Sequence, residues 1–258
     1  MATPEATWFE RDPLELAPLL LGGVLRRADA AGAVALRLTE VEAYRGGDDP
    51  GAHTFRGKTA RNATMFGPGG RVYCYFTYGM HHAVNIVAGP EGSGWGVLVR
   101  AGEVVEGREL AAERRHVRRR TPIAGELARG PGNVAQALGA TLADDGAQLT
   151  DPLAAGLGER APLAGRGGRA EGAPVTRPTA PYAGRPSTGS GAVGQQARIE
   201  MTPTWSFEPA AQQPTFTTGP RVGVSGPGGD ASVYPWRFWI PGEPSVSAYR
   251  AATKRARP

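Results

Sequence analysis

The chain has 258 residues, enough for one substantial core, and its 29 basic residues, almost all arginine, face 24 acids. A pI near 9.7 favours an anionic partner such as nucleic acid, while a net charge of only +5 excludes a protein that coats nucleic acid all over and fits one DNA-facing surface. The single cysteine, Cys74, excludes an internal disulfide, no apolar run approaches membrane-spanning length, and the acid-bearing start MATPEATWFERDP lacks the pattern of a secretory signal, so a cytoplasmic location is expected.

In chain order, the stretch DPLELAPLLLGGVLRR reads as a short helix: Asp12 caps it, Pro13 suits the first helical position, Leu14, Leu16, Leu19 and Leu20 share a face, and Gly22-Gly23 ends it. In VALRLTEVEAY that follows, Val34, Leu36, Leu38, Glu40, Glu42 and Tyr44 alternate with their neighbours at the period of a strand, so Glu42 and Tyr44 share a face. The loop RGGDDPGAHTFRGKTARN is polar and rich in turn residues, and its ordering is expected to depend on a ligand. RVYCYFTY reads as a strand paired with AVNIVAG through the tip TYGMHH, where Tyr78, Met80 and two histidines need a partner to pack against. WGVLVRAGEVVEG continues the sheet and places Arg100 near a strand end, and an arginine-dense helix, GRELAAERRHVRRR, follows. RGPGNVAQALG reads as a Gly-Pro turn opening a short helix whose free N–H groups suit a phosphate. From about 154 to 220 glycine, proline, serine and threonine dominate, and this insert is expected to be mobile. Order is expected to return at RVGV, residues 221–224, with Trp236, Phe238 and Ile240 alternating as a closing strand before a frayed basic tail at about 249–258.

The chemistry concentrates between Glu40 and Asn85, where acids, a histidine and several tyrosines occur in an otherwise aromatic-poor chain. Hydrolysis of a glycosidic bond needs a carboxylate to activate water, and Glu40 and Glu42 are the candidates. Two residues apart on one strand they point the same way and do not flank a scissile bond; as ordinary strand residues both would face solvent. Tyr44, His53, Tyr73 and Tyr75 admit two tasks, core filling or stacking on a flipped-out base that is electron-poor or cationic. Tyr78 with Met80 suits a wedge pushed between bases, or a hairpin packed on a neighbouring loop. Arg114, Arg115, Arg118, Arg119 and Arg120 either grip phosphates or form a solvated face. Cys74, His81 and His82 lack ligand spacing, so no metal is expected.

The run EAY, the acidic glycine-rich loop ending in His53, Arg61-Asn62, MFGPGGRVYCYFTYGM, Asn85 and VLVRAGE together resemble the alkyladenine (3-methyladenine, methylpurine) DNA glycosylase family. The resemblance runs from about Trp8 to Leu153 and resumes from Arg221 to Ala248, roughly two-thirds of the chain in family order. It implies a single compact domain of mixed α/β (α+β) type, with a curved antiparallel sheet and a protruding β-hairpin that intercalates into DNA. By position it makes Glu42 the general base, held by Arg100 and the backbone of Val222. Tyr44, His53 and Tyr75 then bind the base, Asn85 screens out the guanine amino group, and Tyr78 with Met80 enters the duplex. The implied activity is that of a monofunctional enzyme excising alkylated purines from damaged double-stranded DNA in base-excision repair, as a monomer and with no cofactor. Two departures stand out: the loop from His53 to Asn62 is one residue shorter than the family's, and the insert before Arg221 is longer. A non-catalytic nucleic-acid-binding protein on the same fold is the alternative; a carbohydrate hydrolase using Glu40 and Glu42 would need a second acid across a cleft.

Overall fold

The computed structural model describes residues 6–77, 79–115, 122–150 and 202–252. Tyr78, Arg118, Arg119 and Arg120, the insert as far as residue 201 and tail residues 253–258 lie outside the described residues, so the expectations for them rest on sequence alone. Helix α1 is Pro13–Leu20; as its sequence predicts, Asp12 accepts a hydrogen bond from the Leu14 N–H at 2.9 Å, Pro13 fills the first helical position and Leu16 and Leu20 are buried. The Gly22-Gly23 break is followed at once by β1, Val24–Asp29, a strand taken from residues whose arginines disguise it. Next comes β2, Gly32–Arg45, the long central strand.

The hairpin consists of β3, Val72–Thr77, and β4, His81–Ala88. Its tip is shorter than TYGMHH suggests, because His81 pairs with Thr77 and His82 with Phe76 inside the ladder. Met80 at the tip is 68% exposed. Strand β5, Trp95–Glu106, pairs with both β4 and β2. It carries Arg100 in its middle, not near an end, beside the register shift at Glu40.

Helix α2, Arg108–Arg114, is shorter than the arginine-dense run predicts, and its last arginines turn inward. Arg114 binds both oxygens of Asp29 at 2.9 and 3.0 Å, while the buried Arg115 donates to the Leu127 carbonyl and Gln136, so neither is a phosphate grip nor part of a solvated face. A two-residue strand, β6 (Ala128–Arg129), precedes α3, Pro131–Leu138, which begins on the predicted proline and ends on Gly139 in the left-handed conformation.

The remaining strands are β7 (Leu149–Thr150), β8 (Thr204–Glu208), β9 (Thr217–Gly219) and β10 (Arg237–Trp239). The expectation of a mobile connection up to 220 therefore fails for residues 202–219. Strand β8 pairs antiparallel with β1 and parallel with β7, and its Trp205 and Phe207 are each 1% exposed. Burial of two such rings stabilises by several kcal/mol, on the order of 1.5–3 kcal/mol each, which outweighs the low strand propensity of the surrounding composition.

Among the described residues the ten strands form one sheet of mainly antiparallel pairing, with the path β3-β4-β5-β2-β1-β8-β7 and with β10 added to β2. The first part of β2 pairs with β1 and its later part, Glu40–Glu42, pairs with β10, while β5 runs along its other edge. Register shifts at Ala35/Leu36 and on either side of Glu40 mark bulges, the latter where the partner changes from β1 to β10, and bulges curl a sheet there. The fold is thus mixed α/β with a curved sheet. No helix among the described residues is long and apolar enough to cross a membrane.

Candidate active site

Curling brings the centre of β2 under cover on both faces. Leu38, Val41 and Ala43 meet the core, and Glu40 and Glu42 are also fully buried, contrary to the solvent-facing position an alternating strand allows them. A buried carboxylate needs hydrogen bonds or countercharge. Glu42 Oε1 accepts from the Val222 N–H at 2.7 Å and lies 3.6 Å from an Arg100 nitrogen; Oε2 accepts from the Tyr44 hydroxyl at 3.0 Å. The shared face of Glu42 and Tyr44 is therefore realised as a direct contact.

Burial pushes the Glu42 carboxyl above its ordinary value; Arg100, the Val222 N–H and the Tyr44 hydroxyl pull it back, and the charge of Glu40 adds to the rise. Burial, then Glu42, drives the Tyr44 hydroxyl well above its ordinary range, so it stays an O–H donor. A carboxyl shifted in that direction is a stronger proton acceptor than an ordinary one.

Glu42 opens into a cavity of about 350 Å³, within the range of small-molecule sites. Tyr44, His53, Tyr73, Tyr75, Asn85, Arg100 and Val222 line it as well. The sequence-predicted residues of the base pocket, drawn from four separate segments, thus converge on one space. Tyr75 packs edge-on to His53 at 4.6 Å and stacks on Tyr73 at 5.2 Å. Tyr73, for which the sequence leaves core filling and base stacking both open, is 1% exposed and also forms part of the cavity wall. Partial desolvation and the nearby Arg61 charge hold the His53 imidazole below its ordinary pKa. Asn85, also buried, donates to the Tyr73 carbonyl at 3.4 Å across the β3–β4 ladder.

The loop carrying His53 is tied down by its own side chains, which replaces the expectation that a ligand orders it. Thr54 Oγ1 donates to the Gly94 carbonyl at 2.6 Å, and Asn62 Nδ2 donates to the carbonyls of His53 and Gly57 at 3.1 Å each. Asp49 pairs with the Arg221 guanidinium through both oxygens at 2.5 and 2.7 Å. Arg221 also donates to the carbonyls of Ala43 and Gly228 and lies 4.5 Å over the Tyr44 ring. It therefore joins β2, the His53 loop and the segment that presents Val222.

Sequence reasoning missed Asp49, Arg221, Arg237 and Ser247 as residues that hold this site. Arg237 carried a faint signal, a charge between Trp236 and Phe238 in an alternating strand; Ser247 carried none. Glu40, weighed beside Glu42, does not line the cavity, and among the described residues no second acid lines it. Among the described residues no group of three His, Cys, Asp or Glu side chains is placed to hold a metal, and burial pushes the Cys74 thiol up to about 12.

Comparison with known proteins gives the same direction. A family model described as methylpurine-DNA glycosylase matches residues 7–165. Relatives carrying the name "Putative 3-methyladenine DNA glycosylase" include one from Leifsonia xyli, 43% identical over 97% of this chain and 94% of its own length, and one from Streptomyces avermitilis, 43% identical over 100% and 99%. Another, from Nocardia farcinica, is 41% identical over 95% of this chain and 94% of its own. Fold, cavity and similarity over nearly the full length agree that the chain belongs to the methylpurine-DNA glycosylase family.

Proposed function

We propose that the protein is a monofunctional DNA glycosylase that hydrolyses the N-glycosidic bond of alkylated purines flipped out of duplex DNA, leaving an abasic site. The observation that carries this reading is the buried Glu42 carboxylate at the end of an aromatic-walled cavity, with Val222 and Tyr44 donating to its two oxygens. Glu42 takes a proton from the attacking water, and its donors keep the carboxylate aimed into the cavity. Alkylation at N3 or N7 makes the purine cationic, so it departs as a neutral base and needs no acid on the leaving group. A single carboxylate in the cavity suffices for that chemistry.

Tyr44, His53 and Tyr75 provide the faces on which the base rests, preferring a cation, and Asn85 screens its edge. Weakened pairing lowers the cost of flipping and adds to selectivity. Tyr78 and Met80 fill the gap in the duplex. The substrate range we propose is 3-methyladenine and 7-methylguanine, with hypoxanthine and ethenoadenine as neutral lesions, acted on by a monomer.

The test is an abasic-site assay on duplexes that each carry one defined lesion, run with the unaltered protein and with Glu42→Gln. Excision by the unaltered protein falls by about 100-fold or more in the variant, while lesion binding persists. Binding without base release by the unaltered protein would identify a non-catalytic binder instead, and undiminished release by the variant removes Glu42 from the mechanism.

A further inference from the structure

Behind Glu42, away from the cavity, a second buried carboxylate is more densely bound than the first. Glu40 accepts from Arg237 Nε at 2.6 Å, from the Ser247 N–H at 2.8 Å and from the Ser247 hydroxyl at 3.0 Å, and its Oε1 lies 3.0 Å from Arg100 Nε. Arg100 Nε also donates to the Ser247 hydroxyl at 3.2 Å. The Arg100 guanidinium therefore lies between two carboxylates, 3.0 Å from Glu40 and 3.6 Å from Glu42. Three elements meet at this point, β2, β5 and β10, joined by the C-terminal segment that carries Ser247.

A guanidinium closed fully on Glu42 in a buried site would strip the carboxylate of its ability to take a proton. At the observed distances that charge is shared. We propose that Glu40 is a positioning residue of the reaction: with Ser247 it anchors Arg100 through Nε, so that Arg100 orients Glu42 without neutralising it. This rests on the reading of Glu42 as the general base. The groups facing Glu42 are Tyr44 and Glu40 on β2, Arg100 on β5 and Arg221 beside Val222, with His53 and Tyr75 across the cavity and Arg237 on β10 acting through Glu40.

Glu40→Gln keeps shape and one acceptor oxygen while removing the negative charge. Glu42 is then left with an uncompensated surplus of positive charge beside it, so it loses its proton at lower pH. The acid limb of the kcat/KM profile for a single-lesion duplex moves to lower pH by about 1 unit, and the plateau falls about threefold because a weaker base takes the proton. Ser247→Ala, which removes the hydroxyl that donates to Glu40 and accepts from Arg100 but removes no charge, lowers kcat with the acid limb in place and KM unchanged. A purely structural role for Glu40 lowers the yield of folded protein without moving the limb, and an unmoved limb in folded Glu40→Gln overturns the proposal. Glu42→Gln run in parallel separates the two levels: if it excises normally, the general-base reading fails, whereas if it is inactive while the Glu40→Gln limb is unmoved, only the role of Glu40 fails.

Discussion

At the scale of single residues, the site is held by charges that sit out of the solvent. Asp49 and Arg221 are both fully buried side chains, paired through two hydrogen bonds, and the two terminal nitrogens of Arg221 also donate to the Ala43 and Gly228 carbonyls. Removing one partner strands the other charge in the interior. Asp49→Ala is therefore expected to lower the unfolding free energy by about 3–5 kcal/mol in urea titration, and a loss below about 1 kcal/mol would show that the pair is dispensable. Residues of this kind are the least legible in the sequence. Their partners lie 172 positions away for Asp49–Arg221, 197 for Glu40–Arg237 and 207 for Glu40–Ser247, whereas spacing patterns report only on neighbours. Glu42, Tyr44, His53 and Tyr75 were legible as cavity residues because chemistry and aromaticity cluster there within one stretch, and resemblance to a family added Asn85, Arg100 and Val222.

At the scale of elements, local rules predicted α1 and α3 well because caps, proline and glycine act within a few residues. They misjudged α2, whose arginines answer to Asp29, Leu127 and Gln136, and β8, where two rings buried against the sheet override a composition that reads as linker. The junction of β5 with α2 depends on a backbone feature. Gly107 has φ +69°, and a Cβ there would lie 2.0 Å from the Ala33 carbonyl oxygen. Gly107→Ala combines a left-handed alanine with a backbone collision, so a loss of about 2 kcal/mol or more is expected in thermal or urea unfolding. Excision per folded molecule should remain unchanged, since the junction lies outside the cavity; a normal stability would show that the turn relaxes freely.

At the scale of the whole molecule, the C-terminal segment acts as a strap across the site. Glu243 binds Arg37, Ser245 binds Thr39, Ser247 binds Glu40, and the Arg250 carbonyl accepts from the Gly223 N–H, so the part of the tail expected to be frayed is tied down as far as residue 250. A chain ended after Pro241 forfeits all four contacts and is expected to lose about 3 kcal/mol or more of stability, at roughly 1 kcal/mol per hydrogen bond, together with most of its excision activity. Full activity in the truncated protein would show that the strap is ornamental. The same strap bears on biosynthesis. Folding on the ribosome proceeds from the N-terminus, so the cavity walls of β2 to β5 are complete long before residues 243–250 emerge. A nascent chain thus carries most of the pocket wall before Glu40 has its support from Ser247, and the proposed hydrolysis is expected only once residues 243–250 have emerged.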